Sequence, residues 1–321
     1  MRYLPQRQAV QPFKRKSPKS QKSKLHLEIQ RSWQLYLLIL PSIVTVFIFH
    51  YIPIYGVQIA FKNFRTSLGI IGSEWVGLKH FIRFLSYRDF WQIMGNTVAI
   101  SLYSLATFPC SVIFALMINE IDNKAYKRTV QMLSYAPHFV STVVVCSMVL
   151  LFLDRSNGII NTLLEMLGFA RRDFMTQPDS FYSIYVWSGV WKSLGWGTII
   201  YLAALSSVSP ELIEAAKIDG ASRMQIVMRV NLPSILPTII TVFILNTGSI
   251  LSVGFEKIFL LQNALNLERS RVISTYVYEI GIQGGQFSYS SAIGLFNNAI
   301  NIICITLVNV LSKRLTQVSL W

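Results

Sequence analysis

The chain is 321 residues long, 52% hydrophobic and only 14% charged, with a mean hydropathy of +0.46. Soluble globular chains carry about 25% charged residues, and the shortfall excludes an ordinary cytosolic enzyme and makes lipid the solvent for most of this chain. The net charge of +14 does not read as affinity for nucleic acid, because the basic residues cluster at the N-terminus and in particular loops, where they report topology.

Residues 1–32 form a basic arm with nine Lys/Arg and a single acid, Glu28. The apolar run that follows, 33–55, is too long for a signal-peptide core and ends in FHYIPIYG without a small-residue cleavage site. It predicts an uncleaved anchor with the arm in the cytoplasm. Segment 74–92, EWVGLKHFIRFLSYRDFWQ, carries apolar residues at Leu78, Phe81, Ile82, Leu85 and Phe90, which predicts an amphipathic helix at the outer surface. Further apolar runs at about 92–118, 130–153, 181–208, 235–261 and 286–311 bring the count to six. A second outer amphipathic segment, GIINTLLEMLG, lies at 158–168.

The expected fold is an all-α, multi-pass integral membrane protein with six transmembrane helices and both termini cytoplasmic. Charge agrees with this orientation: segments 1–32, 119–129, 209–234 and 312–321 hold 17 Lys/Arg and 6 acids, whereas 56–91, 154–180 and 255–285 hold 11 and 9. The expected divisions are the arm 1–32, a first helix with its outer segment over 33–91, a five-helix core over 92–311 and a tail over 312–321.

Chemistry-bearing motifs are scarce. Cys110, Cys146 and Cys304 lie apart in apolar runs, and the four histidines form no pair, so neither a disulfide framework nor a metal site is expected. None of the 17 glycines precedes a lysine, which leaves no phosphate loop, and no hydrolase signature is present. An integral-membrane enzyme would need catalytic polar groups within its spans. An ion-coupled secondary transporter would normally carry intramembrane acids or histidine, and only His138, Lys192 and Glu256 come near that description. These two classes are the alternative readings.

The loop between the fourth and fifth runs, SPELIEAAKIDGASRMQIVMRVNLPSILP over 209–237, is the most informative segment. Ser209 before Pro210, with Glu211 in the first turn, predicts a capped helix start. Gly220 predicts its stop. Ser222 and Gln225 form an S-x-x-Q capping box for a second helix, which Pro233 and Pro237 are expected to end. The apolar side chains of these helices have no lipid to enter and call for a protein partner.

The same segment resembles the EAA signature of permease subunits of binding-protein-dependent ABC importers. It reads Glu214-Ala215-Ala216, three residues, Gly220, nine residues, then Val230-Asn231-Leu232-Pro233, with Val in place of the usual Ile. WVGLKHFIRFL and the stretch from GFEKIFLLQNALNLERSRVIS to SKRLTQVSLW look like the type I, maltose-type group. The likeness is to its members for complex oligosaccharides and polysaccharide fragments, alginate-type importers among them, and it covers nearly everything from Trp33 onward. It implies half of a translocation pore in a bacterial cytoplasmic (inner) membrane. A second related permease would pair with this one. Two cytoplasmic ATPase subunits would hold ATP and Mg, leaving this chain without a cofactor, and an extracytoplasmic solute-binding protein would deliver the sugar. Glu214, Ala215, Ala216, Gly220, Val230, Leu232 and Pro233 become the expected ATPase-coupling residues.

The expected substrate pathway draws on aromatic and hydrogen-bonding groups in the fourth and fifth runs: Trp187, Trp191 and Lys192, then Asn246, Ser249 and Glu256. A lysine well inside a span costs about 2.5–3.5 kcal/mol on insertion scales, so Lys192 either snorkels outward or faces the pore. Gly195 and Gly197 predict a close helix crossing or a local kink beside it.

Overall fold

The computed structural model describes residues 32–320; the basic arm expected over 1–32 lies outside them except for Ser32. The described residues fall into two units, 32–57 and 58–320. In the first, α1 (Trp33–Val46) continues through a π-turn, Phe47–Tyr51, that precedes Pro53.

The second unit opens with a two-stranded antiparallel sheet, β1 (Lys62–Asn63) and β2 (Glu74–Trp75), in which Lys62 pairs with Trp75. Then come α2 (Lys79–Leu85), α3 (Phe90–Ala106), α4 (Pro109–Asn119), α5 (Lys124–Tyr135), α6 (Thr142–Leu153) and α7 (Ile159–Met166). The remainder is α8 (Phe181–Ser206), α9 (Pro210–Ile218), α10 (Arg223–Thr247), α11 (Phe255–Leu261), α12 (Ile273–Tyr278) and α13 (Phe287–Thr316).

Among the described residues, four helical stretches are long and apolar enough to cross a membrane: 33–61, 90–119, 223–247 and 287–316. Counting each of two bent pairs as one crossing gives up to six. One joins Lys124–Phe139 to Thr142–Leu153 at 101°, and the other joins Pro178–Ser206 to Pro210–Ile218 at 74°. Only 17–22% of the apolar window is buried in the spans at 90–119, 223–247 and 287–316, so their large side chains face outward as lipid-facing helices must.

Three expectations need correction. The third run is not a straight span. Pro137 lacks an N–H and sits in a 3₁₀ turn, and Ser141 accepts from the Val144 N–H at 3.3 Å to begin a new helix. At about 1.5 Å per residue, α5 and α6 are each about 18 Å long, too short to cross alone. The fifth run ends at Thr247 rather than 261. Its last part is the separate helix α11, beyond a turn whose Leu251 N–H donates to Asn301 Oδ1 at 3.0 Å.

Segment 74–92 is likewise not one helix: β2, Gly77 at φ +59° and a break before Phe90 divide it. In α2 the buried face is His80 and Phe84, while Leu78, Ile82 and Leu85 of the expected stripe point outward. Segment 158–168 does form the expected short helix, α7, with Gly168 at φ +85°.

Among the described residues, buried side chains form three apolar clusters. Phe84, Phe90, Ile273, Tyr276 and Tyr289 join α2, α3, α12 and α13. Ile100, Cys146, Phe181 and Ile258 join α3, α6, α8 and α11. Val112, Ala115, Tyr201 and Ile235 join α4, α8 and α10. The glycine expectation holds: a Cβ on Gly195 would overlap the Ser134 carbonyl, and one on Gly197 would lie 2.7 Å from Ser111 Oγ. These glycines let α5 and α4 approach α8 closely.

His80 gives this part of the structure a pH dependence. Its Nε2 donates to the Lys62 carbonyl at 3.1 Å, while Nδ1 is buried with no partner. Burial holds the imidazole pKa below its usual 6.5. The unfolded chain takes up the proton near pH 6.5 and the folded chain resists, so stability is complete above that pH and declines below it. Amide exchange over 60–64 and 76–84, corrected for intrinsic rates, should lose protection between pH 7 and about pH 5.5; protection independent of pH would contradict this.

Candidate functional site

Two regions carry functional geometry: the hairpin formed by α9 and the start of α10, and a polar cavity among α3, α4, α8 and the turn after α10.

In the hairpin, the Ser209 hydroxyl accepts from the Glu211 N–H at 3.3 Å, starting α9 at Pro210. The helix ends in a Schellman motif. Ala221 N–H donates to Ala216 O at 2.9 Å, Gly220 N–H donates to Lys217 O at 3.1 Å, and Gly220 takes φ +77°. Both arms of the Ser222–Gln225 capping box are present, at 2.7 and 3.4 Å. No residue of α9 is buried; Leu212 is 56% and Ile218 86% exposed. Glu214 and Ala215 are exposed and Ala216 half-buried. The hairpin is tied to the α4–α5 connection through Arg223 and Asp122, an exposed ion pair at 3.0 Å, and through Asn231 Nδ2 donating to Glu120 at 3.4 Å.

Pro233 and Pro237 do not end the second helix as expected. A π-turn, Val227–Asn231, lies immediately before Leu232-Pro233, and α10 runs on through Pro237. The wider turn draws carbonyls away from the proline ring, which relieves the clash that would otherwise break the helix. The first unit places a π-turn before Pro53 in the same way. Val230 and Leu232 are therefore half-buried inside a continuous helix and Pro233 lies exposed along it, while Asn231 between them is buried. One rigid element thus joins the hairpin to the far end of α10, where Asn246 lies.

The cavity there has a volume of about 330 Å³, within the range of small-ligand sites. Asn246 and Ser249 line it, with Ser101, Ser104, Thr107, Ser111 and Ser193. The other four pathway candidates do not. Trp187 donates its indole N–H to the Tyr103 hydroxyl at 2.8 Å, and Trp191 lies exposed one turn further on the same face of α8. Lys192 Nζ donates to Thr142 Oγ1 at 3.1 Å, on the elbow of the third crossing. Glu256 is exposed in the first turn of α11. The hydroxyl lining from α3 and α4 was missed. Its signal was the spacing Ser101, Ser104, Thr107 and Ser111, close to one helical face within an apolar run.

A helical body with up to six membrane crossings, an exposed capped hairpin and a hydroxyl-lined cavity has the build of a transport pore subunit. The family model "Binding-protein-dependent transport system inner membrane component" matches residues 107–317, and the chain belongs to that family. It is 40% identical over 297 residues to the polygalacturonan/rhamnogalacturonan transport system permease protein YteP of Bacillus subtilis (strain 168), covering 92% of each chain. It is 31% identical over 228 residues to the trehalose/maltose transport system permease protein MalF of Thermococcus litoralis, covering 70% of this chain and 76% of that one. Among solved structures it superposes, at TM-score 0.84 and 39% identity, on a chain of a bacterial alginate ABC transporter in complex with alginate pentasaccharide-bound periplasmic protein, covering 92% of this chain and 100% of that one. The protein is a permease subunit of an ABC importer for sugars or polysaccharides, a membrane pore subunit and not an enzyme.

Proposed function

We propose that this chain forms half of a pore that imports acidic oligosaccharides across a bacterial cytoplasmic membrane, with both termini cytoplasmic. A second, related permease completes the pore. Two ATPase subunits, which hold the ATP and Mg, dock on the hairpin 209–233. A solute-binding protein delivers cargo from outside. The observation that carries this reading is α9: a capped, conformationally defined helix with none of its residues buried, as a docking element requires. Glu214 offers its charge, Ala215 and Ala216 permit close approach, and Gly220 fixes the turn. Val230, Leu232 and Pro233 transmit the displacement along α10 to the cavity, where Asn246, Ser249 and the serines present hydroxyl and amide partners to sugar. The acidic cargo is supported by the polygalacturonan and alginate systems named for the relatives at about 40% identity.

Closure of the ATPase pair would draw two such hairpins together, and the continuous helix from Arg223 to Thr247 would carry that motion to the cavity, opening it alternately to either side. Co-purification of the tagged chain with its partners, followed by mass spectrometry of bound sugar, tests the assignment. A sister permease, an ATPase and a uronate oligosaccharide are expected; a chain that purifies alone or with a neutral sugar would contradict it.

Orientation is tested by single cysteines in a cysteine-free background. Asn123→Cys and Ser222→Cys should react with an impermeant maleimide only from the cytoplasmic side, and Asn157→Cys and Leu265→Cys only from outside. Leu265 is 65% exposed and open to the reagent, whereas the neighbouring Asn266 is 1% exposed. The reverse pattern would overturn the six-crossing topology.

A further inference from the structure

Two ammonium groups lie on one face of α8 without an acid to balance them. Tyr185, Gly189 and Lys192 share that face at i, i+4 and i+7. Lys257 reaches it from α11: its Nζ donates to the Tyr185 carbonyl at 2.5 Å, lies 4.5 Å from the centre of the Tyr185 ring, and would be 3.1 Å from a Cβ on Gly189. Lys192 Nζ, one turn further, donates to Thr142 Oγ1 at 3.1 Å. Among the described residues neither lysine makes an ion pair; Glu256, the nearest acid in sequence, points into solvent. Both lysines are half-buried, where water screens charge poorly. Tyr185 also lines the hydroxyl-rich cavity, so the Lys257 charge sits against a ring that forms the cavity wall. Among the described residues neither ammonium has a counter-ion, which leaves an unbalanced positive field on this face of α8.

We propose that Lys257 and Lys192 form a paired cationic element that makes the pathway selective for sugars bearing carboxylates. The pair raises the local concentration of an anionic cargo and lowers the barrier to its passage, while a neutral sugar gains nothing from it. Lys257 acts through the Tyr185 wall, as a positioning charge. The proposal rests on the acidic-cargo reading above.

The test uses the complete importer in proteoliposomes, with the binding protein saturated in turn by a uronate oligosaccharide and by its carboxyl-reduced, neutral counterpart. Lys257→Gln and Lys192→Gln should each lower uronate uptake about tenfold while leaving neutral uptake within about twofold of wild type. Lys257→Arg and Lys192→Arg keep the charge and should keep the preference for uronate. A parallel fall for both cargoes would mean that the lysines serve only structure, and wild-type preference in the glutamine variants would likewise overturn the proposal. Failure of the wild-type importer to move uronate oligosaccharides would overturn the acidic-cargo reading itself, and the proposal with it.

Discussion

Gly220→Val and Glu214→Lys are each expected to leave the chain inserted and paired with its sister permease, yet to abolish stimulation of ATP hydrolysis by loaded binding protein. Gly220 sits at φ +77° between two hydrogen bonds of a Schellman stop. A β-branched residue there is strained by about 1 kcal/mol or more. The strain is relieved by unwinding the last turn of α9, which redirects the second helix that Ser222 starts two residues later. No Cβ clash contributes, because nothing lies within 4 Å of the position; the effect is purely one of backbone conformation. Gly220→Asn, which tolerates the left-handed region, should therefore retain most of the stimulation. Glu214→Lys leaves the fold alone, since Glu214 is exposed and unpaired among the described residues, and reverses the charge offered to the ATPase. Full stimulation in both variants would show that the hairpin is not the coupling element.

Gly195→Val should have the opposite phenotype: loss of the folded subunit rather than loss of coupling. The side chain would overlap the Ser134 carbonyl and come within 2.9 Å of Ser134 Cβ. Backbone cannot swing aside as a flexible side chain can, so α5 must separate from α8, at a cost above about 3 kcal/mol. The elbow between α5 and α6 would move with it. The measurement is the yield of the assembled complex and its thermal midpoint in detergent. Wild-type yield and midpoint would mean that α5 and α8 do not cross this closely.

Most of what was legible in the sequence was local. Ser209, Pro210, Gly220, Ser222 and Gln225 act on backbone groups within five residues of themselves, so their spacing was enough to locate α9 and the turn after it. Pro233 and Pro237 misled because proline was read by its usual consequence. Whether a proline ends a helix depends on the width of the preceding turn, and the π-turn over 227–231 has no composition that announces it. The outward apolar stripe of α2 was legible, but its length was not, because β2 and Gly77 at φ +59° divide the segment. In a membrane protein the apolar face turns to lipid, so the buried side is the one with His80 and Phe84. Trp187 and Trp191 were plausible sugar platforms by residue type, but the direction in which a helix faces is set by its neighbours. Lys257 was passed over because the charge count grouped it with the outer segment 255–285, whereas the chain folds α11 back against Tyr185.

The most direct test of the account is ATP-driven uptake by the purified importer in proteoliposomes, with binding protein outside and ATP inside. Accumulation of a uronate oligosaccharide that requires both ATP and binding protein is the expected result. Uptake without ATP, or uptake confined to neutral oligosaccharides, would contradict it.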